Sequence, residues 1–187
     1  MNIWGSFYKV ESTNLGEALS TIGLTGYEPT SFSCSFSQAF FKTTDDNVFI
    51  TITKNNYLVM VDINYSLIGS NYSFERQQAL AATNSVAESF KIYYDNNESI
   101  TSFLKTSKGE LVRFVFDWPG VDSKLFGDPV PEESRHSSTP LPADSSLHSK
   151  TMATIENILF KVFGKWYYSE FGDLEEVELH EFRRNKG

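Results

Sequence analysis

Six carboxylates fall within twelve residues: Glu170, Asp173, Glu175, Glu176, Glu178 and Glu181, with no Lys or Arg among them. Such a cluster creates a local negative field that steers a basic ligand toward it. Its plainer use is a solvated face, or a charged strand that blunts an exposed sheet edge. On a strand, Glu176, Glu178 and His180 would share one face, opposite Val177, Leu179 and Glu181. A hard cation such as Ca²⁺ also suits carboxylates, but the twelve-residue loop of an EF-hand is not present.

A second group of chemically useful residues lies upstream. Asp117, Glu132 and Glu133, with Trp118 and His136, are the types that could line a catalytic cleft under a long loop. Other catalytic patterns fail on inspection. There is no Gly-x-Ser-x-Gly elbow, and Cys34, in Ser33-Cys34-Ser35-Phe36, lacks the signatures of cysteine proteases and reads as a small apolar filler. His136-Ser137 and His148-Ser149 are neighbours in sequence only, which fixes no triad geometry. Leu179-His180-Glu181-Phe182-Arg183-Arg184 begins like a zinc-protease motif but places Arg184 where the second histidine belongs. One Cys and three His supply no structural zinc spacing. Phosphate-binding glycine loops are missing. The longest basic feature is Arg183-Arg184-Asn185-Lys186, which is no nucleic-acid footprint. No metal, cofactor, nucleic acid or membrane is expected as a partner.

The elements that must hold these groups are readable in part. Ile3–Val10 has strand character. Asn14 precedes Glu17 by three residues, a capping arrangement for a short helix that buries Leu15, Leu19 and Ile22 and stops at Gly23. From Phe36 to Ile63 the residues suggest a three-strand meander that ends in a hairpin, Val48–Thr53 and Tyr57–Ile63, turned by Lys54-Asn55-Asn56. The second hairpin strand is apolar on both faces and so should be central. Ser73 is placed to cap a helix running to about Ser89. Three further strands, Phe90–Tyr94, Ile100–Lys105 and Leu111–Phe116, turn at Asp95-Asn96-Asn97 and Ser107-Lys108-Gly109. Tight turns without helical crossovers imply antiparallel pairing.

Five of the six prolines and seven serines crowd into residues 117–150, where no apolar rhythm runs. That stretch is expected to be a long, mobile loop, pinned near Trp118, Leu125 and Phe126 and looser from Glu132 to Ser149. After it, Met152, Ile155, Ile158, Leu159, Val162 and Phe163 define an amphipathic helix that stops at Gly164. Trp166-Tyr167-Tyr168 are then placed to open another strand.

Together these elements predict a single α+β domain over residues 1–187, mainly antiparallel sheet with about three helices packed on it. The length, 187 residues, and the 16 Phe and 9 Tyr provide for one well-buried core. A net charge of −8 disfavours phosphate backbones and anionic lipid. A single Cys, no visible signal peptide and no apolar run of about 20 residues suit a cytoplasmic protein.

In profile (small, acidic, α+β and free of catalytic motifs) the chain resembles the immunity proteins of bacterial toxin systems. The resemblance implies a non-catalytic protein that binds and occludes a basic toxin or effector. It assigns no residue a role. The candidate partner surface is the acidic run, Glu170 to Glu181, with an aromatic anchor among Trp118, Phe126, Trp166 and Tyr168, which flank the run or the long loop. The alternatives are an enzyme built on the dispersed carboxylates and histidine, or a subunit of a larger assembly with an aromatic contact surface.

Overall fold

The computed structural model describes residues 3–61, 82, 85–134, 142, 144–167 and 172–185. Elements whose signals are local form as the sequence predicts. Strand β1 (Ile3–Lys9) leads into α1 (Leu15–Thr21), whose cap is Asn14, its side chain accepting from the Glu17 amide at 3.1 Å. Leu19 and Ile22 are buried, and Gly23 follows with a positive φ. The hairpin is β3 (Asn47–Ile52) and β4 (Tyr57–Val61), with Ile50 opposite Met60; Asp62 and Ile63 lie outside the described residues. Asn56 adopts φ +58°, the left-handed backbone that Asn tolerates, and donates to the Thr53 carbonyl at 3.0 Å. The meander is β5 (Ser89–Asp95), β6 (Ile100–Ser107) and β7 (Glu110–Trp118), continued by β8 (Asp122–Phe126).

Three expectations need correction, and one strand was not expected. Phe36–Lys42 is a helix, α2, and not a strand. Ser35 and Gln38 form a capping box at its start, and Phe36, Ala39 and Phe40 recur at helical spacing, so the local hydrogen bonding overrides the strand preference of a phenylalanine-rich run. Upstream of it, β2 (Tyr27–Ser35) is a strand for which no signal was read. The proposed helix to Ser89 lies mostly outside the described residues, but its last stretch, 85–88, is not helical and Ser89 opens β5. Trp166 and Tyr167 are not in a strand; Trp166 stacks on Phe160 at 4.2 Å and Tyr167 is buried.

The described part of the Pro/Ser stretch is also more structured than its composition suggests. It carries β8, the single helical turn α3 (Pro131–Ser134) and the first turn of α4 (Leu147–Phe163), which starts five residues before Met152. Ser146 caps α4, accepting from the Ser149 amide at 3.1 Å, and Gly164 ends it with φ +75°, its N–H donating a hydrogen bond to the Phe160 carbonyl. The early turns of α4 are largely polar, which hid them from a search for apolar period.

The nine strands among the described residues form one antiparallel sheet, ordered β2-β9-β3-β4-β1-β5-β6-β7-β8, where β9 is Glu178–Arg184. Alternation along the strands builds two faces. On one, α2 and α4 cover Phe7, Phe49, Val59, Val61, Phe90, Ile92, Phe103 and Val115. Ile155, Ile158, Leu159 and Val162 of α4 are fully buried there, each side chain contributing roughly 2 kcal/mol by leaving water. On the other, α1 covers Tyr8, Ile50, Leu58 and Met60, and a separate cluster gathers Tyr93, Leu104, Phe114 and Phe116. Every residue of β4 is buried, as a central strand requires. The protein is α+β, mainly sheet.

The capping box offers a local test. Ser35→Ala removes the acceptor for the Gln38 amide and the donor to Glu175, and should cost about 1 kcal/mol. Urea unfolding should show this as a lower midpoint at unchanged slope; no change would mean that α2 is held by Phe36 and Ala39 alone.

Candidate functional site

The carboxylates of the possible catalytic cleft are held in ion pairs. Glu132, on α3, is 4% exposed and meets Lys105 of β6 at 2.9 Å and Lys161 of α4 at 2.8 Å. Glu88, just before β5, meets the same two lysines at 3.1 and 2.7 Å, closing a four-charge ring. The Tyr57 hydroxyl donates to Glu88 at 2.6 Å, and both ammonium groups lie over the Phe90 ring, at 5.2 and 5.0 Å. Burial alone would raise both glutamates, but the hydrogen bonds from Lys161 and Lys105 outweigh it and hold them below the usual carboxylate range. Burial would lower Lys161; its bonds to Glu132 and Glu88 outweigh that and raise it. The Tyr57 hydroxyl is pushed up by burial and by its bond to Glu88.

A general acid or base needs a pKa near the working pH, and this ring moves Glu88, Glu132 and Lys161 away from neutrality. It clamps α3 and α4 to the sheet beside a cavity of about 250 Å³ that Pro131 and Asn157 also line. Glu133 makes a two-point pair with Arg113, at 2.8 and 2.9 Å. Asp117 is buried on β7 and accepts from the Ser123 hydroxyl at 2.5 Å, while Trp118, the next residue, belongs to the opposite face. His136 lies outside the described residues. His148 and Ser149 are adjacent in the first turn of α4. Cys34 is buried, and burial raises its thiol above the ordinary value, in keeping with a packing role.

The acidic run divides. A 3-10 turn, Gly172–Glu176, brings it to β9, which lies between β2 and β3 and so is no sheet edge. Glu181 is 3% exposed and accepts from Asn47 and Thr30, both at 2.8 Å, and from Arg183 at 3.0 Å. Burial would raise its carboxyl; those three bonds bring it below the usual range instead. It is a structural anchor. Glu175, Glu176 and Glu178 are exposed. Glu178 accepts from Ser33 at 2.6 Å and Glu175 from Ser35 at 3.3 Å, both hydroxyls of β2, while Glu176 pairs with Lys165 at 2.9 Å. Glu170 and Tyr168 lie outside the described residues, as does the side chain of Asp173.

Of the three, Glu178 lines a groove of about 680 Å³, and Glu176 meets it through its pair with Lys165 in the groove wall. Its walls are the hairpin end Thr51–Asn55, the end of α4 from Phe163 to Lys165, and Val177, Glu178 and His180. The hairpin end is fixed from both sides: the Asn55 side-chain amide donates to the Lys161 carbonyl at 2.9 Å and Lys9 donates to the Asn55 carbonyl at 2.6 Å. Trp166 follows Lys165 directly. The groove is two-toned, with Glu178 on the β9 wall and Lys54 and Lys165 on the others, Glu176 at the rim and Glu175 toward β2.

Trp118 and Phe126 are elsewhere. They sit on β7 and β8, six and seven strand positions from β9, or roughly 30 Å at about 4.8 Å per strand. Among the expected contact residues, Glu175, Glu176, Glu178 and Trp166 are therefore brought to one end of the molecule, and Trp118 and Phe126 are separated from them.

A second groove, of about 560 Å³, went unsignalled in the sequence. Phe32, Lys42, Phe49, Arg183 and Arg184 line it, over the buried Glu181. Its basic residues are partly engaged: Lys42 lies over the Phe32 ring at 5.0 Å, Arg183 bonds Glu181, and Arg184 donates to the Tyr27 hydroxyl at 3.2 Å. Among the described residues no cluster of His, Cys, Asp and Glu is arranged to hold a metal ion, and no helix is long and apolar enough to cross a membrane. Comparison with family models, curated proteins and solved structures finds no match to this chain.

Proposed function

We propose that this chain is a non-catalytic binding protein of the immunity type, which captures and occludes a basic toxin or effector at the groove beside β9. One observation carries the reading. Three neighbouring carboxylates are exposed, Glu178 lining one open groove, Glu176 paired with Lys165 in its wall and Glu175 close by on the 3-10 turn, while the buried Glu132 and Glu181 and the partly buried Glu88 are engaged inside the fold. The Lys165–Glu176 pair at the rim has half-exposed and exposed partners and holds little energy, so an incoming cation can replace Lys165. Trp166, half-buried next to it, supplies an aromatic anchor of the kind that concentrates binding energy. The catalytic alternative has less support, because its described carboxylates, Asp117, Glu132 and Glu133, are each bound to a partner within the chain.

The test is capture from the native host's lysate on immobilised protein, followed by kinetics with the partner obtained. Reversing Glu175→Lys, Glu176→Lys and Glu178→Lys together should slow association at low salt by at least about tenfold and flatten its salt dependence, with a smaller change in dissociation. Circular dichroism should be unchanged, since all three side chains are exposed. A partner that associates with the triple variant at the original rate would remove the acidic run from the interface.

A further inference from the structure

We infer that two copies of this chain join through the outer edge of β8, continuing the sheet antiparallel across a two-fold axis centred on Ser123. β8 ends the sheet, and among the described residues no strand lies on its outer side. Val121 is 64% and Leu125 58% exposed, so this end of the sheet presents apolar side chains. Natural sheets blunt such edges. The opposite edge is blunted: β2 contains Pro29, and its register breaks between Pro29 and Ser33. β8 has neither a proline nor a register break.

What identifies a second copy as the occupant is self-complementarity. Antiparallel pairing about Ser123 sets Asp122 opposite Lys124 of the other copy and, by symmetry, Lys124 opposite Asp122. It also sets Val121 opposite Leu125, twice. Within one copy Asp122 and Lys124 already lie on the same face, 3.2 Å apart and nearly half exposed, so the junction becomes a square of alternating charges. The neighbouring symmetric registers lose this match. Centring on Lys124 sets lysine against lysine and Asp122 against Phe126; centring on Asp122 sets acid against acid. Directly opposed like charges destabilise a strand pair, and opposed unlike charges support it. A contact in which each residue meets its reciprocal is what a two-fold interface requires.

Sedimentation across a concentration series should show a species of twice the 21.2 kDa chain mass. Asp122→Lys alone and Lys124→Asp alone should each weaken the dimer at least about tenfold. The double exchange, Asp122→Lys with Lys124→Asp, should restore it. Circular dichroism verifies that each variant folds. The register is tested separately. Ser123→Cys should form an intermolecular disulfide on mild oxidation, because opposed residues of an antiparallel pair lie within disulfide reach. Lys124→Cys should not, since its two copies stand two residues out of register. A chain that stays monomeric throughout overturns the inference. So does a dimer indifferent to the single reversals, or one that cross-links at position 124 but not 123.

Discussion

Glu132→Ala should lower the stability of the fold by about 3 kcal/mol, a fall of roughly 6–12 °C in thermal midpoint for a chain of this length. Removing the carboxylate leaves Lys105 and Lys161, whose side chains are 12% and 31% exposed, with Glu88 as their one shared counter-charge. Two like charges then face each other over Phe90 in a setting that water reaches poorly. The position of Glu132 makes the loss larger. It is the link between α3 and two other elements, β6 and α4, and its carbonyl also accepts from the Asn157 side chain at 2.8 Å.

The pH profile should reveal the same ring. Glu88 and Glu132 are held below the ordinary glutamate value of about 4.3, so the stability they supply is complete above that value. It is lost as the pH falls through their depressed folded-state values. Lys161 and Tyr57 are held above their ordinary values. Their contribution is complete below about pH 10 and is lost as the pH climbs through the raised ones. Wild-type protein should therefore show a broad plateau with an acid and an alkaline shoulder, and Glu132→Ala should flatten the acid one. A midpoint that moves by less than about 2 °C, with an unchanged acid limb, would show that the ring does not clamp the fold.

Gly127→Ala should be of comparable severity, at about 3 kcal/mol or more, by a different mechanism. Gly127 has φ +76°, and a β-carbon there would be driven into the carbonyl oxygen of Val112 on the neighbouring strand. Backbone cannot swing aside as a flexible side chain would. The damage should spread, because the Gly127 carbonyl accepts from Arg113 at 2.5 Å, and Arg113 is also the partner of Glu133. Moving Gly127 thus loosens β8 and α3 together. Hydrogen exchange should show early loss of protection over residues 122–134 while β1, β3 and β4 stay protected. Unchanged protection there, or a normal thermal midpoint, would mean that the chain absorbs the β-carbon by a shift no larger than a few tenths of an ångström.

What was legible in the sequence was whatever a few adjacent residues decide. Asn14 and Glu17 mark a helix start, and Asn55-Asn56 a tight turn, because those side chains act within three or four positions of themselves. Glu181 was legible only in part: strand parity puts it with Val177 and Leu179, away from Glu176 and Glu178, but the expected partner surface included it, and it is buried against Asn47 and Thr30 instead. The charge ring was not, since Glu88 and Lys161 are 73 residues apart and nothing in their spacing links them. Strand order was equally hidden. It is what separates Trp118 and Phe126 from the acidic run, and period-two patterning contains no information about which strand lies beside which. α2 was misread because its six apolar and polar side chains after Phe36 satisfy either period over so short a span.

The insertion of β9 between β2 and β3 sets a timetable for synthesis. Ser33 and Glu178, bonded to one another in the finished sheet, are 145 residues apart. At about 5–20 residues per second, the ribosome needs roughly 7–30 s to deliver the second after the first. For that interval β2 has no strand to pair with and β3 has one open side, while β1, β4 and the β5–β8 meander already have their neighbours in the nascent chain. The meander can form early from contacts between successive strands; the β2–β9–β3 end has to wait. A nascent chain stalled before residue 178 should therefore engage chaperones that recognise unpaired apolar strands, and do so through residues 27–52.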